Sequence, residues 1–140
     1  MARTYLLDFD TIATDPRFFS MLALVERTAG SRIVVLDGDP KRKSGEKTAA
    51  MEYGVSLHRY IQWNGEPVDD SVNPELHPDA ARHRAKTHVA KSLRDKAPVI
   101  WIDLDFGDWR GAPVERMNNI IVLNWKMVMQ GVKRPEVANA

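Results

Sequence analysis

Apolar residues in this chain gather into short runs that end at acids. Tyr5-Leu6-Leu7 leads into Asp8-Phe9-Asp10-Thr11, Arg32-Ile33-Val34-Val35-Leu36 into Asp37-Gly38-Asp39-Pro40, and Val99-Ile100-Trp101-Ile102 into Asp103. Continuous short apolar runs of this kind predict strands buried on both faces. Between the first two, Phe18, Phe19, Met21, Leu22 and Val25 recur at helical spacing. Asp15 stands as N-cap and Pro16 in the first turn, and Ala29-Gly30-Ser31 ends the helix. A strand, a helix and a second strand make a βαβ unit with a right-handed crossover. If the first strand ran on through Asp10, both acids would face one side. If it ends earlier, Asp10 turns away.

Further along, residues 41–53 form a charged helix closed by Gly54, and 57–63 hold a third strand. The stretch 64–79 carries Gly65, Pro67, Pro74 and Pro78 and reads as a loop. A basic helix over 80–95 places Ala85, Val89 and Leu93 on one face and stops at Ala97-Pro98. The last strand lies in 119–125, with or without a short helix over 113–117 before it. The alternation predicts an α/β sandwich with a mainly parallel sheet of about five strands. It forms a single domain over 1–130, followed by a loose tail, 131–140. In such sheets ligands bind beyond the carboxyl ends of the strands. Three strands ending in Asp at one edge call for a compensating cation.

Composition narrows this little. The 140 residues are 44% hydrophobic and 28% charged with a net charge of +1, which fits one globular domain and argues against a general polyanion binder. There is no cysteine, so disulfides, thiolate metal sites and a thiol nucleophile are excluded. His58, His77, His83 and His88 lack a ligand spacing, and zinc is not expected. No apolar stretch approaches the roughly 18 residues that span a bilayer, and no signal-peptide pattern opens the chain. A cytoplasmic protein that does not contact membrane is the expectation.

In order along the chain these features resemble the motifs of the haloacid dehalogenase (HAD) superfamily of phosphotransferases. The first motif, an apolar strand ending Asp-x-Asp, is matched by Leu6-Leu7-Asp8-Phe9-Asp10-Thr11. The second, Thr-Gly-Arg-Pro before a charged helix and Gly-Val, is matched by Asp37-Gly38-Asp39-Pro40 and Gly54-Val55. The third, a helical lysine, is matched by Lys86, with Lys91 in reserve. The fourth, an apolar strand ending in acids, is matched by Ile100-Trp101-Ile102-Asp103, with Asp105 or Asp108 as the second acid.

The resemblance implies a three-layer Rossmann-like sandwich without a cap domain and a Mg²⁺-dependent phosphatase. Asp8 would be the nucleophile, Asp10 the general acid and base, and Lys86 the residue that offsets the negative charge of nucleophile and phosphate. Asp8, Asp10 through its backbone carbonyl, Asp103 and Asp108 would hold the metal, while Asp37 and Gly38 would meet the substrate. An uncapped site admits a bulky phosphorylated substrate such as a polynucleotide end, which Lys41-Arg42-Lys43 or Arg82-His83-Arg84 would help recruit. Three positions depart from the family pattern, among them Thr11, which stands where a small residue often follows the second Asp. Asp37 replaces a hydroxyl and brings a like charge to the phosphate, and Asp39 replaces an arginine. The alternatives are a catalytically impaired HAD-like binding or regulatory protein and a metal-dependent nuclease of the PIN type.

Overall fold

In the computed structural model, which describes residues 2–104 and 113–132, the three acid-ended runs become adjacent strands. They are β1 (Thr4–Asp8), β2 (Arg32–Asp37) and β4 (Val99–Asp103). With β3 (Arg59–Gln62), β5 (Val114–Met117) and β6 (Ile120–Asn124) they form a six-stranded sheet in the order β3-β2-β1-β4-β6-β5. All neighbours are parallel except β5 and β6. The expected count of about five is therefore one short. The added strand is β5, in the segment where a short helix was the alternative. Its exposed Val114-Glu115-Arg116 suits an edge strand, which has only one partner to cover it.

Among the described residues the α-helical segments are α1 (Phe9–Thr14), α2 (Pro16–Thr28), α3 (Gly45–Lys47) and α4 (Pro78–Leu93) between strands, and α5 (Trp125–Val132) after β6. α3 runs into a π-helical turn, Thr48–Glu52. β1 ends at Asp8 because the Asp8 carboxylate caps α1, accepting the Thr11 N–H at 2.9 Å and the Thr11 hydroxyl at 2.8 Å. Asp15 joins α1 to α2 without a side-chain cap, and Pro16 opens α2. The face of α2 also differs from expectation. Phe19 and Ala23 are buried, whereas Phe18, Met21 and Val25 are exposed. The tail boundary shifts as well, since α5 continues through Gly131 and Val132.

Strand residues alternate between two separate cores, as the period of two requires. Tyr5, Leu7, Ile33, Val35 and Ile102 pack with Phe9, Ile12, Phe19 and Trp125. Leu6, Val34, Leu36 and Trp101 pack with Ala90 of α4, joined by Val89 and Leu93. This parity decides where the terminal acids point. Asp8 follows Leu6, and Asp103 follows Trp101, so both lie on the α4 side. Asp37 follows Ile33 and Val35 onto the other.

Candidate active site

The parallel register sets Asp8 opposite Leu36 and Leu7 opposite Ile102, which brings the ends of β1, β2 and β4 to one edge of the sheet. α4 crosses that face on small residues: Ala81, Ala85 and Ala90 are buried against it. Their size lets Lys86 lie inward with its whole length covered, 4% exposed. Its ammonium donates to Asp8 Oδ1 at 2.8 Å and to Asp103 Oδ2 at 2.9 Å. Trp101 Nε1 donates to the same Asp103 oxygen at 3.2 Å. A lysine 78 residues from one acid and 17 from the other thus joins the first, third and fourth acid-and-lysine positions read from the sequence.

Two carboxylates share one ammonium, so the buried cluster carries a surplus negative charge. Burial, and after it the Asp8 charge, pushes Asp103 up to about 6, although Lys86 opposes the shift. For Lys86, burial is the largest influence and works against its charge. The two carboxylates outweigh it and hold its pKa above the ordinary lysine value. Both Asp8 oxygens are engaged, one by Lys86 and one by Thr11, which fixes the carboxylate's orientation.

Asp10 turns away from Asp8, as a strand ending at Asp8 requires. Its half-exposed carboxylate pairs with Arg42 Nη2 at 2.8 Å. Burial, followed by the Asp8 charge, raises its pKa above the ordinary carboxylate value against the pull of Arg42 and Lys86. Asp37 is fully buried and does not present a bare charge. It accepts the Asp39 N–H at 2.9 Å, Arg42 Nε at 2.8 Å and the Tyr60 hydroxyl. Gly38 is where Lys86 and Arg82 approach the backbone: a Cβ there would stand 2.9 Å from Lys86 Cε and 2.6 Å from Arg82 Cδ. Asp105 and Asp108 lie outside the described residues.

Tyr60 did not stand out in the sequence as a site residue, and Arg42 entered only within the basic triplet 41–43 that would help recruit a substrate. Arg42 stacks over the Phe9 ring, its Cζ 4.0 Å from the centroid. Tyr60 belongs to a short edge strand, and only the register of Asp37 with Gln62 places its hydroxyl near Asp37. Beside Asp10 opens a cleft of about 830 Å³, whose walls include Lys41, Arg42, Trp63 and Arg82 as well as Asp39 and Glu75.

The carboxylates of Asp8 and Asp103 are oxygen donors of the kind a hard divalent cation takes, and here both lie on the Lys86 ammonium. Among the described residues no group of three or more Asp, Glu, His or Cys side chains is placed to hold a metal ion. Mg²⁺ commonly takes only one or two carboxylates and keeps several waters. Among the described residues no helix is long and apolar enough to cross a membrane. Comparison with protein-family models, with curated proteins and with solved structures returns no match.

Proposed function

We propose that this chain is a Mg²⁺-dependent phosphohydrolase acting through an aspartyl phosphate on Asp8, built on an uncapped three-layer Rossmann-like domain of the HAD kind. The observation that carries the reading is the buried Lys86 ammonium bridging Asp8 and Asp103. Three buried ionisable groups are costly to keep for stability alone, and they cluster where charge is handled chemically.

Asp8 attacks phosphorus as a carboxylate and needs no base to activate it. As the bond to the leaving oxygen breaks, the carboxylic acid of Asp10 gives that oxygen its proton. In the second half, the Asp10 carboxylate takes a proton from water, which attacks the same phosphorus. Asp8 is released as a carboxylate and inorganic phosphate departs. Lys86 balances the charge of Asp8 and the transferring phosphoryl group from the α4 side. Asp8, Asp103, the Asp10 carbonyl and Asp108 would hold Mg²⁺, which supplies positive charge to the phosphoryl oxygens. The open cleft beside Asp10 suits a bulky phosphate ester, a polynucleotide end or another phosphorylated macromolecule.

Release of phosphate from an aryl phosphate, with and without Mg²⁺, for the native chain and Asp8→Asn, tests the reading. Metal-dependent release that is lost in the variant is expected. The second reading, an impaired binding or regulatory protein, is favoured by one feature: every described partner of Asp37 is a donor to it, so position 37 offers no hydroxyl to a phosphoryl group. No release from the native chain on aryl or polynucleotide phosphates, with Mg²⁺ still bound, is the outcome that reading requires.

A further inference from the structure

Arg42 is held more firmly than a cation on a charged loop needs. Its Nε is anchored on the fully buried Asp37, which the Tyr60 hydroxyl also braces. Its carbonyl accepts Gln62 Nε2 at 2.7 Å, and the same amide holds the Asp39 carbonyl at 2.8 Å. Gly45 leaves room for the assembly, since a Cβ there would stand 2.0 Å from the Tyr60 hydroxyl and 3.0 Å from Arg42 Cδ. A pair serving only to pin the loop would close both arms of the guanidinium on the buried carboxylate. Here the fork is split. One nitrogen is on the buried anchor, and Nη2 reaches out 2.8 Å to Asp10, whose side chain is 58% exposed at the edge of the cleft, with Asp39 Oδ2 farther off at 4.0 Å.

Resting on the phosphohydrolase reading, we infer that Arg42 grips the substrate phosphate, replacing the hydroxyl and the arginine that positions 37 and 39 lack, and that Asp10 is its resting-state partner. A phosphate oxygen presents the guanidinium with the same acceptor geometry as a carboxylate, so one anion can take the place of the other on Nη2. The exchange frees Asp10 for proton transfer in the step that seats the substrate. Asp37, which looked like a like-charge obstacle to phosphate, becomes the anchor that aims the cation at it.

The test is calorimetric titration of inorganic phosphate, with Mg²⁺ present, into the native chain, Arg42→Lys, Asp10→Asn and the double variant. Lysine keeps a cation beside Asp37 but cannot hold Asp37 and reach outward together. Arg42→Lys is expected to weaken phosphate binding about tenfold or more. Asp10→Asn is expected to tighten it several-fold in the native background and much less in the Arg42→Lys background, a non-additivity that simple removal of repulsion does not give. Unchanged affinity in Arg42→Lys, or an equal gain from Asp10→Asn in both backgrounds, overturns the inference. Turnover of Asp8→Asn reports separately on the parent reading. Lost turnover there with unchanged affinity in Arg42→Lys sinks the role of Arg42 alone, whereas Arg42-dependent phosphate binding in a chain without turnover supports it and sinks the chemistry.

Discussion

Replacing Lys86 by methionine removes the ammonium and keeps much of the side chain's length and apolar stem. In the native chain that ammonium lies 2.8 Å from Asp8 and 2.9 Å from Asp103, with all three side chains at most 5% exposed. Removing one partner of a buried pair costs about 3–5 kcal/mol because the other charge is stranded. Two carboxylates are stranded here, so the loss does not fall at the lower end of that range above neutral pH. Protonation relieves part of the loss. Asp103 already titrates at about 6, and losing Lys86 removes an influence that lowers it. A carboxyl whose folded pKa exceeds its unfolded value stabilises the fold below the unfolded value and loses that contribution as pH rises through the folded one. The deficit of Lys86→Met should therefore be about 4 kcal/mol at pH 8 and roughly half that at pH 5. Urea unfolding of both chains in EDTA at the two pH values measures it. A deficit under about 1 kcal/mol at pH 8, or the same deficit at both, would refute the buried, shared ammonium.

The same logic applies to the native chain without metal. Asp103, raised from 3.8 to about 6, should withdraw on the order of 3 kcal/mol of stability as pH rises from about 4 to above 6, and melts in EDTA across that range should show the decline. Because a metal needs Asp103 ionised, the stabilisation by Mg²⁺ should grow over the same interval and reach about 2.7 kcal/mol at a hundredfold excess over Kd; thermal melts with Mg²⁺ read this directly. Gly38→Ala puts a methyl within 2.9 Å of the pinned Lys86 Cε and should lower kcat about a hundredfold while the fold persists, as steady-state kinetics beside circular dichroism would establish. Tyr60→Phe strips one donor from buried Asp37 and should cost about 1–3 kcal/mol in urea unfolding.

The strands that build the site were legible because their physics is local. An apolar run ending in acid can hardly be anything but a buried strand reaching an edge, and β1, β2 and β4 all follow it. Lys86 was legible only through the resemblance to the third motif, with Lys91 as the alternative; its inward position among small residues, where it meets Asp8 and Asp103 together, was not. Parity within each strand puts Asp8 with Leu6, Asp103 with Trp101 and Asp37 with Val35, but which of these pairs share a face follows only from the register between strands. What was not legible depends on long-range register. Arg42 looks solvated in a basic triplet until Asp37 and Phe9 close on it, and β5 looks unlike a core strand because an edge strand carries little apolar signal. α1 was hidden for another reason: Phe9 and Ile12 prolong the apolar run of β1, and only the Asp8 cap on Thr11 turns the chain.

The proposed reaction requires that Asp8 become phosphorylated. Acid quenching of a single turnover of an aryl phosphate, followed by peptide mass mapping, reads this out. A transient phosphoryl adduct on the peptide carrying Asp8, absent without Mg²⁺ and absent in Asp8→Asn, is the expected result. Turnover without any adduct, undiminished in Asp8→Asn, would contradict it.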